Sequence, residues 1–188
     1  MRRKNVLMIG IVTVWLAVLG GFSISAQDSS QAKYGVKVPG GLAFSEFKGY
    51  EAWQVISLSR NAKLVAVIVG NPAMIAAYQA GIPANGKPVP DGARMAKVHW
   101  APKQNTFFPD ATVPGELVNV DFMVKDSKRF ADSGGWGYAV FDYNAASDTF
   151  TPGTTAGSPP QGNDARCGFA CHTRAKTRDY VFTDYGQR

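Results

Sequence analysis

Five segments rich in β-branched and aromatic residues dominate the chain: Trp53–Leu58, Lys63–Val69, Ala93–Trp100, Leu117–Val124 and Trp136–Tyr143. Such side chains fit a pleated, half-buried surface, so these segments predict strands. Ser59-Arg60-Asn61 separates the first two and reads as a hairpin turn. Asn71 and Pro72 then supply a helix cap and first position, Ala73–Ala80 continue the helix, and Gly81 ends it. Short helices are also expected over Ser45–Ala52 and Lys125–Asp132. Loops are expected over Ile82–Pro90, through the Pro-rich stretch up to Gly115, and over Thr151–Asp164, which holds three Pro and three Gly. The sum is an α+β domain: a mainly antiparallel sheet of about five strands with short helices between them and a distinctive C-terminal segment.

The N-terminus reads as a targeting segment. Arg2, Arg3 and Lys4 precede an uncharged apolar run from Val6 to Phe22, and Ser23-Ile24-Ser25-Ala26 offers small residues for cleavage after Ala26. This is the plan of a secretory signal peptide over residues 1–26. The 17-residue run is also barely long enough for an uncleaved anchor. Either reading places the folded part outside the cytoplasm, in the periplasm or otherwise exported. Residues 27–45 read as a flexible lead-in and residues 46–188 as the domain. Three of the six net positive charges belong to the leader, and the remaining 162 residues carry only +3. That balance excludes a nucleic-acid function. Two cysteines exclude a disulfide framework.

The sharpest local motif is Cys167-Gly168-Phe169-Ala170-Cys171-His172. Attachment of haem c needs thiols that add across the porphyrin vinyl groups and a His directly after the second thiol to bind iron. The usual spacing has two residues between the cysteines; here there are three. Either both thiols are used, or Cys171 alone forms a thioether. A small disulfide, a zinc site joining both cysteines to His172 and His99, and free thiols are the competing readings.

The order of features resembles the cytochrome P-460 family, which includes the cytochrome c′-beta proteins. The resemblance runs from about Tyr50 to Tyr185. It is carried by Val69-Gly70-Asn71-Pro72, by Pro90-Asp91-Gly92-Ala93-Arg94-Met95-Ala96-Lys97, and by Val124-Lys125-Asp126-Ser127-Lys128-Arg129-Phe130-Ala131. Gly135-Trp136-Gly137-Tyr138-Ala139-Val140-Phe141 follows, then Ala170-Cys171-His172 with Lys176 and Val181-Phe182-Thr183. The resemblance implies an exported mono-haem c-type protein, usually a homodimer, with an antiparallel sheet as one haem wall. It implies cofactor contacts from Cys167, Cys171, His172 and Lys97, with His172 as the iron ligand. The activity it implies is oxidation of hydroxylamine, with electrons passed to a soluble redox partner. The alternatives are a non-enzymatic haem protein binding nitric oxide, or a simple electron carrier.

Strand alternation places Ala93, Met95, Lys97 and His99 on one face, with Arg94, Ala96, Val98 and Trp100 on the other. By resemblance, Lys97 sits where family members carry a lysine joined to a porphyrin meso carbon. Such a bond needs a neutral amine, which partial burial favours; a solvated lysine is the alternative. His99 is either a distal ligand or a hydrogen-bonded structural residue. In the fourth strand Val118, Val120, Phe122 and Val124 form one apolar set, and Leu117, Asn119, Asp121 and Met123 the other. By resemblance, Asp121 falls where catalytic members carry an acidic residue that takes protons; a solvated strand Asp is the alternative. Ala66 stands where some members place a distal arginine.

Overall fold

The structure, a computed structural model, describes residues 32–38, 41–153 and 163–187, with the backbone alone for 163–167. The leader, residues 27–31 and most of the Pro/Gly-rich segment after Gly153 lie outside the described residues.

Six strands form one antiparallel sheet in simple chain order: β1 (Gln54–Arg60), β2 (Val65–Gly70), β3 (Arg94–Gln104), β4 (Thr112–Lys125), β5 (Trp136–Asn144) and β6 (Thr149–Pro152). Helix α1 (Pro72–Gln79) connects β2 to β3, and α2 (Asn163–His172) follows β6. The α1 cap is as expected: the Asn71 side chain accepts a hydrogen bond from the Met74 amide at 3.0 Å. It also accepts from the Arg94 amide and donates to the Gly92 carbonyl, so one residue ties α1 to the start of β3.

Several boundaries differ from the sequence expectation. The β3–β4 pair runs out to Gln104 and back from Thr112, where a Pro-rich loop was expected. Pro102 and Pro114 face each other in register beside an irregularity at Trp100; such irregular positions tolerate proline. The expected helix over Lys125–Asp132 is a turn with one short 3-10 stretch, Ala131–Ser133. The Asp126 carboxylate accepts from the Lys128 and Arg129 amides, a local bond that competes with helix formation. The sixth strand and the start of α2 occupy both ends of the expected Thr151–Asp164 loop. The lead-in also differs from a mobile segment in its described part. Val38, Leu42 and Phe44 are fully buried, and Lys37 and Ala43 form an isolated antiparallel bridge.

The sheet is covered on both faces. On the back, Ala96, Val98, Val120, Phe122, Val124, Ala139 and Phe141 meet Val38, Leu42, Phe44, Phe47 and Tyr50. The Phe44 ring touches those of Tyr34, Tyr50, Phe122, Phe141 and Phe150, and Phe47 stacks on Phe122 at 4.0 Å. On the front, Ile68, Met95 and Tyr138 pack with Met74, Ile75 and Tyr78 of α1 and with Val181, Phe169 and Tyr180 from the C-terminal segment. The period-2 alternation of β3 and β4 divides these two cores.

Candidate functional site

Strand register arranges the front face in transverse rows. Ile68, Lys97, Asp121 and Val140 are successive partners across β2 to β5. The next row is Met95, Met123 and Tyr138. On the other side of the Lys97 row lie Ala66, His99 and Asn119. The first two rows form the floor of a cavity of about 420 Å³, whose remaining walls include Gly168, Cys171, His172 and Phe182. Lys97, Asp121, Cys171 and His172, far apart in sequence, therefore share one chamber.

Helix α2 brings the thiol and imidazole there. Its close approach to β5 depends on Gly168: a Cβ at that position would lie 3.1 Å from the Tyr138 ring. Positions 167 and 171 are one helical turn apart, so three intervening residues place both on the same helix face. Cys171 is exposed and is a free thiol, which leaves the disulfide reading without support. The Cys167 side chain is outside the described residues.

His172 is held from behind. Its Nδ1 lies 2.6 Å from the Tyr180 carbonyl oxygen. A carbonyl only accepts, so Nδ1 carries the proton and Nε2 keeps its lone pair. The ring packs beside Tyr138 (5.2 Å) and Phe182 (4.8 Å). Burial lowers the His172 pKa, the Tyr180 bond opposes this, and the Lys97 charge lowers it further. The neutral, ligand-competent imidazole is thus favoured. The Tyr138 hydroxyl is buried without a hydrogen-bond partner among the described residues. Its pKa is pushed far up by burial and then by Tyr180 and Asp179.

Lys97 is half-buried and forms no hydrogen bond or ion pair among the described residues. Asp121 keeps 38% of its side chain exposed. His99 does not line the cavity. It is buried opposite Ala66, with Nδ1 3.6 Å from the Asp121 carboxylate. That is too long for a hydrogen bond but close enough for electrostatic coupling. Burial lowers the His99 pKa, as does Lys97, against a smaller opposing effect of Asn119. His99 is therefore the neutral neighbour of Asp121. Neither the distal-ligand nor the zinc reading is supported by its position. Ala66, buried on the same face, leaves room for the His99 ring.

Two contributors escaped sequence reasoning. Tyr138 enters only through register, and the Tyr180 carbonyl is a backbone group with no side-chain signature. Met95 shares the Lys97 face and Met123 the Asp121 face by simple alternation, and both were legible.

The donor set fits a haem. An imidazole with Nδ1–H engaged and Nε2 available, an exposed thiol one residue before it, and a chamber floored by Ile68, Met95, Met123 and Val140 are the requirements of a covalently held porphyrin with one protein ligand. Fold and site define a c-type haem protein with an antiparallel sheet as one wall. The chain matches the family described as Cytochrome P460 over residues 47–183, and it belongs to that family. Comparison with curated proteins found no match. Proteins of this family bind haem c with iron, and His172 and Cys171 are the residues here that would hold it.

Proposed function

We propose that the protein is an exported haem enzyme that oxidises hydroxylamine and passes electrons to a soluble acceptor. The observation that carries the reading is that Lys97 and Asp121 are cross-strand neighbours in register and both line the cavity that also holds His172. A pocket that only binds a neutral gas needs neither an amine nor a carboxylate in its wall. Haem iron, when bound, supplies the electron sink. His172 would hold it through its free ring nitrogen. Asp121 takes the protons that an N–H and O–H substrate must lose as electrons leave, and its partial exposure lets it return them to water. Neutral His99 beside it is a second proton station. Lys97, on the same row, would meet the edge of a porphyrin held in this cavity. A nitrogen–carbon bond there would distort the macrocycle, a lever on iron separate from the axial ligand.

Binding of nitric oxide without turnover is the second reading, favoured by Ala66 in place of a polar pocket residue and by the apolar floor. The two separate in one experiment on the loaded protein. With a Lys97 cross-link, the wild-type spectrum lies far to the red of an ordinary c haem. Lys97→Leu restores ordinary bands and lowers hydroxylamine turnover strongly, while nitric oxide binding persists. An ordinary spectrum in wild type, with no turnover, gives the protein to the gas-binding reading.

A further inference from the structure

We propose that the buried Lys125–Asp179 ion pair is a positioning device for His172: it fixes the left-handed turn whose Tyr180 carbonyl holds the imidazole, and so tunes the bound iron. The inference rests on the haem site and is independent of the reaction proposed above.

Asp179 and Tyr180 are consecutive non-glycine residues with φ of 48° and 63°. A Cβ makes this conformation unfavourable, so two in succession persist only where the surroundings impose them. Those surroundings are specific. Lys125 Nζ donates to both Asp179 carboxylate oxygens at 2.8 and 2.9 Å, and to the Gly134 carbonyl at 3.0 Å. The Asp179 carboxylate also accepts from the Val89 amide, and its backbone carbonyl accepts from the Trp136 indole, both at 2.8 Å. The Tyr180 amide donates to the Ala175 carbonyl. Its ring lies over Gly134, where a Cβ would come within 2.2 Å. The turn is thus clamped to the end of β4, the start of β5 and the loop before β3. At its exit the Tyr180 carbonyl meets His172 Nδ1 at 2.6 Å.

Stability alone is a poor reason for this pair, because a buried ion pair gains little over a well-packed apolar one. What an apolar pair would not supply is a carboxylate that gathers the Lys125 ammonium and Val89 amide while the chain turns left-handed. An acceptor on Nδ1–H fixes the tautomer and ring plane and raises ligand basicity, which favours ferric over ferrous iron.

The test uses the haem-loaded protein and a double variant, Lys125→Met with Asp179→Ala, which leaves no buried charge unpaired. Haem content is read by absorbance and the Fe(III)/Fe(II) midpoint by redox titration. The expected result is retained haem with the ferric preference reduced about tenfold, a midpoint about 59 mV more positive. Lys125→Arg keeps the cation and should keep the wild-type midpoint. An unchanged midpoint in the loaded double variant overturns the proposal. If the double variant does not load haem, Trp136→Phe decides, since it keeps an aromatic ring in the core and removes the indole N–H donated to the Asp179 carbonyl. A positive shift then upholds the proposal and no shift overturns it. Hydroxylamine turnover plays no part in either outcome.

Discussion

At the scale of single residues the site is organised around which nitrogen and which thiol are left available. Tyr180 occupies Nδ1 of His172, so Nε2 faces the chamber. Cys171 is the exposed thiol beside it. Cys171→Ala should therefore abolish covalent haem, seen as loss of the haem increment in intact mass. Cys167→Ala discriminates the spacing through the alkaline pyridine spectrum: bands unchanged from wild type mean a single thioether from Cys171, and bands shifted to the red, as one vinyl group is freed, mean that Cys167 forms a second. His99 gives a pH prediction. Burial and then Lys97 hold its folded pKa below its usual value, outweighing the opposing hydrogen bond of Asn119. The unfolded chain then binds more protons near pH 6, so stability is complete above about 6.5 and falls as pH drops toward the folded value. The slope is at most about 1.4 kcal/mol per pH unit. In the loaded protein His172 would be held by iron, leaving His99 as the other of only two histidines. Denaturant midpoints between pH 5 and 7 should fall with acid in wild type and flatten in His99→Gln; equal slopes would remove His99 as the cause.

At the scale of elements, much of the site was legible and the remainder was not, for physical reasons. Lys97, Met95 and His99 share a face because a strand alternates, and that reading needs only sequence. The pairing of Lys97 with Asp121 depends on register, which the long β3–β4 pair sets through irregularities at Trp100 that no local pattern announces. The Lys125–Asp132 stretch has helical composition, yet Asp126 bonds its own downstream amides and the chain turns instead. The sixth strand was hidden because Thr149–Pro152 is short and ends in proline, which an edge strand permits. Gly168 looked like a spacer in a thiol motif, but it is the contact that seats α2 on β5. Gly168→Val should force the helix away from Tyr138, since even a Cβ sits at 3.1 Å. Overpacking of this kind costs typically about 1–3 kcal/mol. Thermal unfolding should show that loss together with poorer haem loading, whereas a fall in stability with full loading would mean that α2 adapts without moving His172.

At the scale of the whole molecule, the sheet separates chemistry from support. Its front carries the chamber, and its back carries an aromatic layer built with the segment from Tyr34 to Trp53. Phe122 and Met123 are neighbours in sequence but belong to opposite faces, so the two cores communicate only through the backbone of the strands. Phe44 is the centre of the back layer, fully buried and in ring contact with five aromatic side chains. Removing its ring leaves a large void that rigid neighbours cannot close, at a cost of about 3–5 kcal/mol. That is a large share of the net stability of a domain this size. Phe44→Ala should therefore lower the denaturant midpoint of the loaded protein sharply. The absorption bands and the ligand-binding spectrum should stay in place below the transition, because the side chains of Lys97, Asp121, Met95, Met123 and Tyr138 stand on the opposite face of the strands. Tyr138→Ala, on the opposite face and beside His172, should move the bands as well as the midpoint. A Phe44→Ala protein whose bands shift while still folded would show that the back layer sets the geometry of the haem wall as well as its stability.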